Sequence, residues 1–370
     1  MIINKKITFV ISSLSGGGAE RVCVSVANSL ADRGWQVDLV VLNINNQAYL
    51  NSLSSNINLI TLNVNHSRYS GIPLLRYIYK NKPKTILVFN YELSVMIVML
   101  RAIFRFKLKI ISRNINTFSI KIKQFKEQGL WPRCIVLPLI KLFYHKIDHV
   151  INQCNAMQND LISIYPELSE NSSVIYNPIP IHIENYSSKN DLAQIKKENY
   201  LLCVGRLEKQ KAFHYAIEAF AGIKDSFQDL RLKIIGQGSL ENELKQKAID
   251  YCVEHRVDFE GFQKDIIPYY LYSKGTILTS LYEGYPNVLI ESIAMNTPVV
   301  AFDCPSGPKE IIKDGLNGYL VKHHDVNDLK KKLSILLLNK FDISDLKKSI
   351  EKNQTKQVSK KYENLINSLN

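Results

Sequence analysis

Short runs of apolar residues alternate along the chain with longer segments in which apolar residues recur every three or four positions. Apolar runs bounded by Gly, Pro or polar residues predict buried strands, whereas the periodic segments predict amphipathic helices. In the first half, the predicted strands are residues 7–12, 36–43, 57–64, 84–90, 108–112 and 148–152. The helices predicted around them are residues 19–33, 70–81, 92–105, 121–128, 132–145 and 155–165. This alternation favours a doubly wound parallel α/β sheet.

The same alternation resumes after residues 176–190, an aperiodic stretch with Pro and Ser that reads as a linker. The strands predicted beyond it are residues 200–204, 230–235, 257–259, 275–279, 298–302 and 316–321. The helices predicted there are residues 212–223, 239–252, 265–271, 287–296 and 307–313, followed by a Lys-rich helical tail from about residue 325. We therefore expect a first domain over residues 1–180, a second over 181–345, and a tail over 346–370 that packs back on the first domain.

Composition agrees with two intracellular domains of ordinary size. The chain has 370 residues, of which 46% are hydrophobic, so it can bury two cores. Its six cysteines are scattered without a C-x-x-C pair, which argues against a zinc cluster or a disulfide framework and for a reducing compartment. Residues 5–11 resemble the start of a signal peptide but predict a first strand, and no apolar stretch is long enough to span a membrane. We expect a cytoplasmic protein, peripheral on the inner face of the cell membrane.

Positive charge is concentrated in residues 101–146. This segment holds eleven Lys or Arg and one acid, Glu127, in a chain whose net charge is +13. Because large apolar residues are interleaved with the basic ones, the segment suits a surface that faces anionic lipid headgroups. A solvated basic face over ordinary core helices is the alternative. Nucleic acid is disfavoured, since the chain carries no zinc-finger, RNP-like or arginine-rich signature.

A strand, a polar turn and a helix around residues 275–294 carry two carboxylates, Glu283 and Glu291, separated by seven residues. Pro286 suits the first turn of a helix, so the free amides of Gly284 to Val288 would point outward at a helix N-terminus. Such a terminus binds phosphates or sugar hydroxyls. Two glutamates at this spacing also occur by chance in α/β proteins, so the carboxylates alone do not decide whether this segment is a ligand site.

Two cations occupy a similar position at the start of the second domain. Arg206 and Lys211 follow a predicted strand and precede a helix, where they could neutralise a pyrophosphate group. Solvated surface charges are the alternative for this pair. After the next strand, Gly236 and Gly238 permit close approach of the backbone to a ligand, and Ser239 could cap the helix that follows.

The full runs of residues 205–211 and 283–301 resemble the G-R-x4-K and E-x7-E motifs of retaining glycosyltransferases of family 4 (group 1), which have the GT-B fold. The resemblance covers nearly all of the second domain, and the first only through Gly16-Gly17-Gly18 and its architecture. It implies two Rossmann-like domains that face each other across a cleft. It also implies that Arg206 and Lys211 hold the donor diphosphate.

The same resemblance assigns the other groups around the donor. Glu283 would contact the transferred sugar and Glu291 the ribose hydroxyls, while Phe262 follows the strand where the family cradles the base, although it could be core. The residues implied around the nucleotide sugar are Gly16, Gly17, Gly18, Gly205, Gly236, Gly238, Phe262, Gly284, Tyr285, Pro286, Asn287, Val288 and Glu291.

Two further parts of the sequence bear on the acceptor and on the choice of nucleophile. Arg113 and Asn114 stand where many relatives have a histidine, and Arg113 could grip an acceptor phosphate. Cys304 could be read as a nucleophile, but the chemistry needs none, and packing is the preferred interpretation. The run from Asp303 to Glu310 resembles a variant common in bacterial enzymes that build surface polysaccharides on lipid carriers.

The function implied is retaining transfer of a hexose or N-acetylhexosamine from a nucleotide sugar, expected to be UDP-linked. The acceptor would be a lipid-linked (polyprenyl diphosphate) saccharide in polysaccharide, O-antigen or capsule assembly. No metal or other cofactor is expected, since no D-x-D lies in a suitable loop. A sugar-nucleotide epimerase of the same fold and a non-catalytic membrane-associated binding protein are the alternatives. The triple-glycine loop is not the G-x-G-x-x-G fingerprint, which disfavours a dehydrogenase.

Overall fold

The computed structural model describes residues 5–45 and 48–369, and the chain divides into two compact units. The first unit comprises the residues up to Pro180 together with those from Thr355 onward, and the second comprises Ile181–Gln354. The predicted tail therefore needs a correction. Residues 346–354 belong to the second unit, and only the last helix returns to the first.

The first unit is built on seven strands in the order β3-β2-β1-β4-β5-β6-β7. All neighbouring strands within the described residues pair in parallel. The strands are β1 (Lys6–Ile11), β2 (Gln36–Val41), β3 (Ile57–Thr61), β4 (Thr85–Val88), β5 (Lys109–Arg113), β6 (His149–Asn152) and β7 (Ser172–Val174). β4 and β5 are buried almost throughout, as expected of a parallel sheet covered on both faces.

Helices cover both faces of this sheet. They are α1 (Gly18–Asp32), α2 (Gly71–Asn81), α3 (Tyr91–Phe104), α4 (Phe118–Glu127), α5 (Leu137–Phe143), α6 (Asn155–Ile164) and, from the C-terminus, α15 (Thr355–Leu369). A short π-helical segment, Pro132–Val136, precedes α5. One apolar core lies under α2 to α6, and a second lies under α1 and α15.

The second unit has six parallel strands in the order β10-β9-β8-β11-β12-β13. They are β8 (Tyr200–Val204), β9 (Arg231–Ile235), β10 (Val257–Gly261), β11 (Gly275–Leu278), β12 (Val299–Phe302) and β13 (Gly318–Val321). Its helices are α7 (Ile181–Lys189), α8 (Phe213–Ala221), α9 (Glu241–Asp250), α10 (Ile267–Tyr272), α11 (Asn287–Ala294), α12 (Pro308–Ile311), α13 (Val326–Leu338) and α14 (Ile343–Ser349).

The predicted doubly wound α/β architecture is confirmed in both units, and most element boundaries fall within a few residues of the prediction. The linker predicted over residues 176–190 is wrong in its second half, because Ile181–Lys189 forms α7. Only Ile183 of this helix is fully buried, so its apolar periodicity is weak. The three-residue strand β7 was also not predicted, since its sequence, Ser-Ser-Val, carries little apolar signal.

Candidate active site

The predicted site residues of the second unit follow the carboxyl ends of β8, β9, β10 and β11. In a doubly wound sheet, the loops at this edge form the ligand site, because side chains and helix N-termini from several strands converge there. The strand order places β8 between β9 and β11, so the loops after these three strands are neighbours.

Lys211 and Glu283 form an ion pair at this edge. The Nζ of Lys211 donates to Oε1 of Glu283 over 2.6 Å, and both side chains are largely buried. Ser280 donates its hydroxyl to the same carboxylate oxygen, also over 2.6 Å. The two motifs recognised separately in the sequence therefore meet in space, and a cation and a carboxylate share one position beside the predicted sugar diphosphate.

The loop that carries Glu283 is fixed by backbone contacts with the loop after β8. The Leu281 amide donates to the Gln210 carbonyl, and the Gln210 side chain donates to the Tyr282 carbonyl. Thr279 donates its hydroxyl to the Lys211 carbonyl over 3.0 Å. Because these bonds tie the two loops directly together, Lys211 and Glu283 are held with little freedom to separate.

Glu291 lies on α11, one turn beyond its first residue, and is 1% exposed. Its Oε2 accepts a hydrogen bond from the hydroxyl of Tyr270 on α10 over 3.1 Å. Tyr270 is a partner that sequence reasoning missed, and no local motif marks it, since it precedes Glu291 by 21 residues on another helix. α11 begins at Asn287, as predicted, and Pro286 is its N-cap.

The glycines after β8 and β9 allow two loops to touch. A Cβ on Gly236 would lie 1.8 Å from the Gly205 carbonyl oxygen, and one on Gly238 would lie 2.4 Å from the Leu207 carbonyl oxygen. Only glycine fits at such a close approach of two backbones. These two glycines thus have a packing role besides the predicted contact with the donor.

Ser239 does not cap a helix as predicted. α9 begins at Glu241 with Leu240 as its N-cap, and without a side-chain cap. Instead, the amide and the hydroxyl of Ser239 both donate to the Glu208 carboxylate, over 3.1 and 3.0 Å. These hydrogen bonds lower the pKa of Glu208. The carboxylate therefore links the loop after β9 to the loop that carries Arg206.

Arg206 and Phe262 lie at the surface of this edge. Arg206 is exposed, and Phe262, which follows β10, is 64% exposed, so the alternative that Phe262 is core is wrong. Both side chains are thus accessible to a ligand. Cys304 is buried, and this burial raises the pKa of its thiol. A thiol held in its neutral form is a poor nucleophile, in keeping with the packing interpretation.

In the first unit, the glycine loop leads directly into α1. Gly17 is the N-cap of this helix, and Glu20 in its first turn folds back so that Oε2 would lie 2.3 Å from a Cβ on Gly17. Tyr49 accepts a hydrogen bond from the Arg21 side chain over 3.0 Å and donates to the Gly16 carbonyl. Gly16 and Gly17 therefore form an ordered turn at the carboxyl end of β1.

Arg113 does not present itself to an acceptor phosphate, and that hypothesis is corrected. Its side chain is 1% exposed and lies over the ring of Phe89. It donates to the Tyr362 hydroxyl over 2.7 Å and to the Asn177 side chain. Asn114 is equally buried, donating to Asn152 and accepting from Tyr144. Both residues therefore stabilise the first unit just below the carboxyl ends of its strands.

The segment over residues 101–146 is less uniformly basic at its surface than its sequence indicates. Arg101 and Lys109 both pair with Asp148, and Arg113 is buried. Beyond α4, however, several large apolar side chains are exposed together with Arg133 and Lys141: Leu130, Trp131, Ile135 and Leu142. No helix among residues 5–45 and 48–369 is both long and apolar enough to cross a membrane.

Two family models match the chain and together cover most of it. The model described as "Glycosyltransferase Family 4" matches residues 16–182. The model described as "Glycosyl transferases group 1" matches residues 186–357. Their common boundary falls where the chain passes from the first compact unit to the second.

Named relatives align with almost the whole chain. The amylovoran biosynthesis glycosyltransferase AmsD of Erwinia amylovora is 29% identical, with 86% of each chain covered. A Campylobacter jejuni enzyme, "N-acetylgalactosamine-N,N'-diacetylbacillosaminyl-diphospho-undecaprenol 4-alpha-N-acetylgalactosaminyltransferase", is 27% identical, with 90% of each covered. Among solved structures, Anabaena Alr3699/HepE in complex with UDP has a TM-score of 0.76 at 18% identity. That alignment covers 98% of this chain and 100% of HepE, and it shows a shared fold.

Proposed function

The chain belongs to the group 1 glycosyltransferases of family 4, with the GT-B fold and of the type that builds bacterial surface polysaccharides, and we propose that it is a retaining hexosyltransferase. The donor is a UDP-linked hexose or N-acetylhexosamine, and the acceptor is a saccharide on a polyprenyl diphosphate. The Campylobacter relative, named for such a lipid-linked acceptor, and the HepE complex with UDP support these choices.

The observation that carries the proposal is the convergence of Lys211 and Glu283 within 2.6 Å, beside the start of α11. A diphosphate at this edge would meet the Lys211 ammonium, the Arg206 guanidinium and the positive end of a helix. Glu283 would then accept hydrogen bonds from the transferred sugar, and Glu291 from the ribose.

Transfer in this arrangement breaks the bond between the anomeric carbon and the diphosphate oxygen. The acceptor hydroxyl oxygen forms the new bond on the same face of the sugar, and its proton passes to the leaving phosphate. Arg206, Lys211 and the helix start stabilise the charge that develops on the diphosphate, so their interaction with it is strongest in the transition state. The proposed reaction uses no catalytic metal.

The proposal extends to the membrane. The exposed apolar side chains of residues 130–142 and their basic neighbours would lie against an anionic lipid surface, where a lipid-linked acceptor is found. Binding would then be driven by burial of these apolar side chains in the membrane interface and by attraction of the basic side chains to the lipid headgroups.

Donor binding is the first test, by thermal shift with UDP, GDP, ADP and UDP-N-acetylhexosamines. We expect uridine nucleotides to raise the melting temperature. A ligand that binds only the folded state, at 100 times its Kd, raises the free energy of unfolding by about 2.7 kcal/mol. Lys211→Ala should abolish this shift. The matched control is Lys332→Ala, which removes another half-buried lysine of the second unit that pairs with an acid, Asp314. A shift retained in Lys211→Ala, or absent with every nucleotide, would contradict the proposed donor site.

Activity is tested with a synthetic polyprenyl diphosphate saccharide and the UDP-sugar that binds most tightly. A product with the anomeric configuration of the donor, detected by NMR, is the expected outcome. An inverted product would exclude a retaining mechanism. Conversion of the nucleotide sugar to an epimer without acceptor would instead identify an epimerase.

A further inference from the structure

Tyr285 lies in the loop between Glu283 and α11, yet its side chain is turned away from solvent. It is 3% exposed, and its hydroxyl lies 3.1 Å from Nδ2 and 3.3 Å from Oδ1 of Asn353, which is itself completely buried. Either the hydroxyl accepts from the amide nitrogen or it donates to the amide oxygen. The resemblance to the family motif implies that Tyr285 binds the donor. Its hydroxyl, however, is hydrogen-bonded to a protein side chain 68 residues away in the sequence.

Asn353 is a fixed partner. It closes the short 3-10 turn Glu351–Asn353 that follows α14, and its own amide donates to the Ile350 carbonyl over 2.9 Å. The neighbouring Lys352 donates to the Glu310 carbonyl over 2.8 Å, which ties the same turn to α12. A buried side chain on so constrained a turn has little freedom to follow movements of the loop.

The opposite side of the loop is also restrained. A Cβ on Gly307 would lie 2.6 Å from the Gly284 carbonyl oxygen and 2.6 Å from Cδ of Pro286. The Glu283 amide donates to the Pro305 carbonyl over 3.2 Å. The loop after β12 therefore presses on the backbone of residues 283–286, while Asn353 holds the Tyr285 side chain.

We propose that Asn353 is a positioning residue for the donor, acting through the Tyr285 hydroxyl to set the Glu283 carboxylate and the backbone amides at the start of α11. Asn353 itself touches no substrate. The inference rests on the proposed donor site and adds a residue from the segment beyond the predicted end of the donor domain. Since these groups bind the donor, loss of the hydrogen bond should raise the KM for nucleotide sugar more than it lowers kcat.

The test compares Tyr285→Phe, Asn353→Leu and the double variant with wild type. Each single variant removes one partner of this buried hydrogen bond, which lowers the melting temperature, whereas removing both partners costs less than the sum of the two single changes. We expect the KM for nucleotide sugar to rise about tenfold in the single variants and to stay raised in the double variant, although its melting temperature is higher than the two single changes together would give. Recovery of KM together with melting temperature would mean a merely structural role and would overturn the inference.

Tyr319→Phe is the matched control. It removes the hydroxyl of another buried tyrosine in the same unit, on β13, which accepts a part-buried hydrogen bond from the side chain of Asn339 over 2.6 Å. Its KM for nucleotide sugar should stay at the wild-type value. A KM raised equally in this control would overturn the inference, because the effect would not depend on the loop.

A second measurement separates failure of the inference from failure of the proposed function. Hydrogen exchange of the amides of residues 284, 285 and 287–289 should be faster in Tyr285→Phe and Asn353→Leu than in wild type or Tyr319→Phe, whether or not a nucleotide binds. Unchanged exchange in both variants would overturn the inference. A wild-type protein that binds no nucleotide would refute the donor site and, with it, this role of Asn353.

Discussion

Arg113 carries a positive charge into the core of the first unit, and its hydrogen-bond partners there are neutral. Nε donates to the Tyr362 hydroxyl, and among the described residues Nη1 has no hydrogen-bond partner. A buried charge is costly unless hydrogen bonds compensate it. The bonds to Tyr362 and Asn177, together with the ring of Phe89, therefore make this network sensitive to the loss of any one member.

Tyr362→Phe should lower the free energy of unfolding of the first unit by about 1.5–3 kcal/mol, since it removes a bond to a charged donor. Tyr165→Phe is the control in the same unit, because its hydroxyl donates only to the neutral Ile140 carbonyl. Its expected loss is about 0.5–1.5 kcal/mol. Equal losses in urea unfolding of the two variants would show that the charge of Arg113 adds nothing to the bond.

Glu283 and Lys211 raise a second question at this scale, because the ammonium proposed to bind the diphosphate is paired with the Glu283 carboxylate. Glu283→Gln keeps the shape of the side chain and removes its charge, so the ammonium is freed for the diphosphate. We expect UDP to bind Glu283→Gln at least as tightly as wild type by calorimetry, while kcat with the nucleotide sugar falls. Weaker UDP binding in this variant would mean that Glu283 holds Lys211 in place for the diphosphate and does not compete for it.

The docking of α15 on the first unit shows how one carboxylate can hold an element. Glu363 accepts from Lys5 over 2.9 Å, from Arg33 over 3.1 Å and from the Trp35 indole over 3.1 Å. These hydrogen bonds, led by those from Lys5 and Trp35, lower the pKa of Glu363 from 4.5 to about 2. Val358, Tyr362 and Ile366 of the same helix pack into the core under α1.

The lowered pKa fixes the direction of the pH dependence of this docking. Since the folded state holds the proton less tightly than the unfolded state, the stabilisation is complete above pH 4.5 and is lost as the pH falls from 4.5 towards 2. Glu363→Gln should remove this pH dependence and lower stability at pH 7. Trp35 fluorescence in a Trp131→Phe background reports the contact directly, since these are the two tryptophans of the chain.

Glu241→Gln is the control for this change. Glu241 forms an exposed pair with Lys245 one turn away on α9, and such pairs contribute at most about 0.5 kcal/mol. A loss of stability at pH 7 no larger than in this control would show that Glu363 does not hold α15.

At the scale of the element, the agreement between sequence and structure depends on burial. β8 was predicted over residues 200–204 and is Tyr200–Val204, because a strand buried on both faces is a continuous apolar run. α7 was missed because it offers a single fully buried residue as a periodic signal. The boundary between tail and second domain was also misplaced, since α14 and α15 are similar Lys-containing helices that pack on different units.

For the whole molecule, the net charge of +13 matters most for the proposed binding to an anionic membrane surface. Residues 130–142 combine Leu130, 79% exposed, and Trp131, 50% exposed, with the exposed Arg133 and Lys141. Exposed apolar side chains beside basic ones favour partition into the interface of an anionic bilayer, where each Lys or Arg contributes about 1 kcal/mol.

Replacing Trp131 and Leu142 by serine should weaken binding of the full chain to phosphatidylglycerol-containing vesicles in a sedimentation assay. Binding by wild type should also fall as salt is raised, since ions screen the headgroup charge. Ile249→Ser is the control, because it removes an equally exposed apolar side chain from α9 in the second unit. Vesicle binding that is unchanged in the double variant would place the membrane surface elsewhere or exclude one.

Local patterns were sufficient to predict two doubly wound units and the positions of Arg206, Lys211, Glu283 and Glu291 on loops and helix starts, since period and turn chemistry act over a few residues. They could not predict which side chains meet. Tyr285 with Asn353 and Arg113 with Tyr362 are separated by 68 and 249 residues. Such pairs arise only when strand order and helix packing bring distant segments together, and burial then decides whether a polar group serves the ligand or the fold.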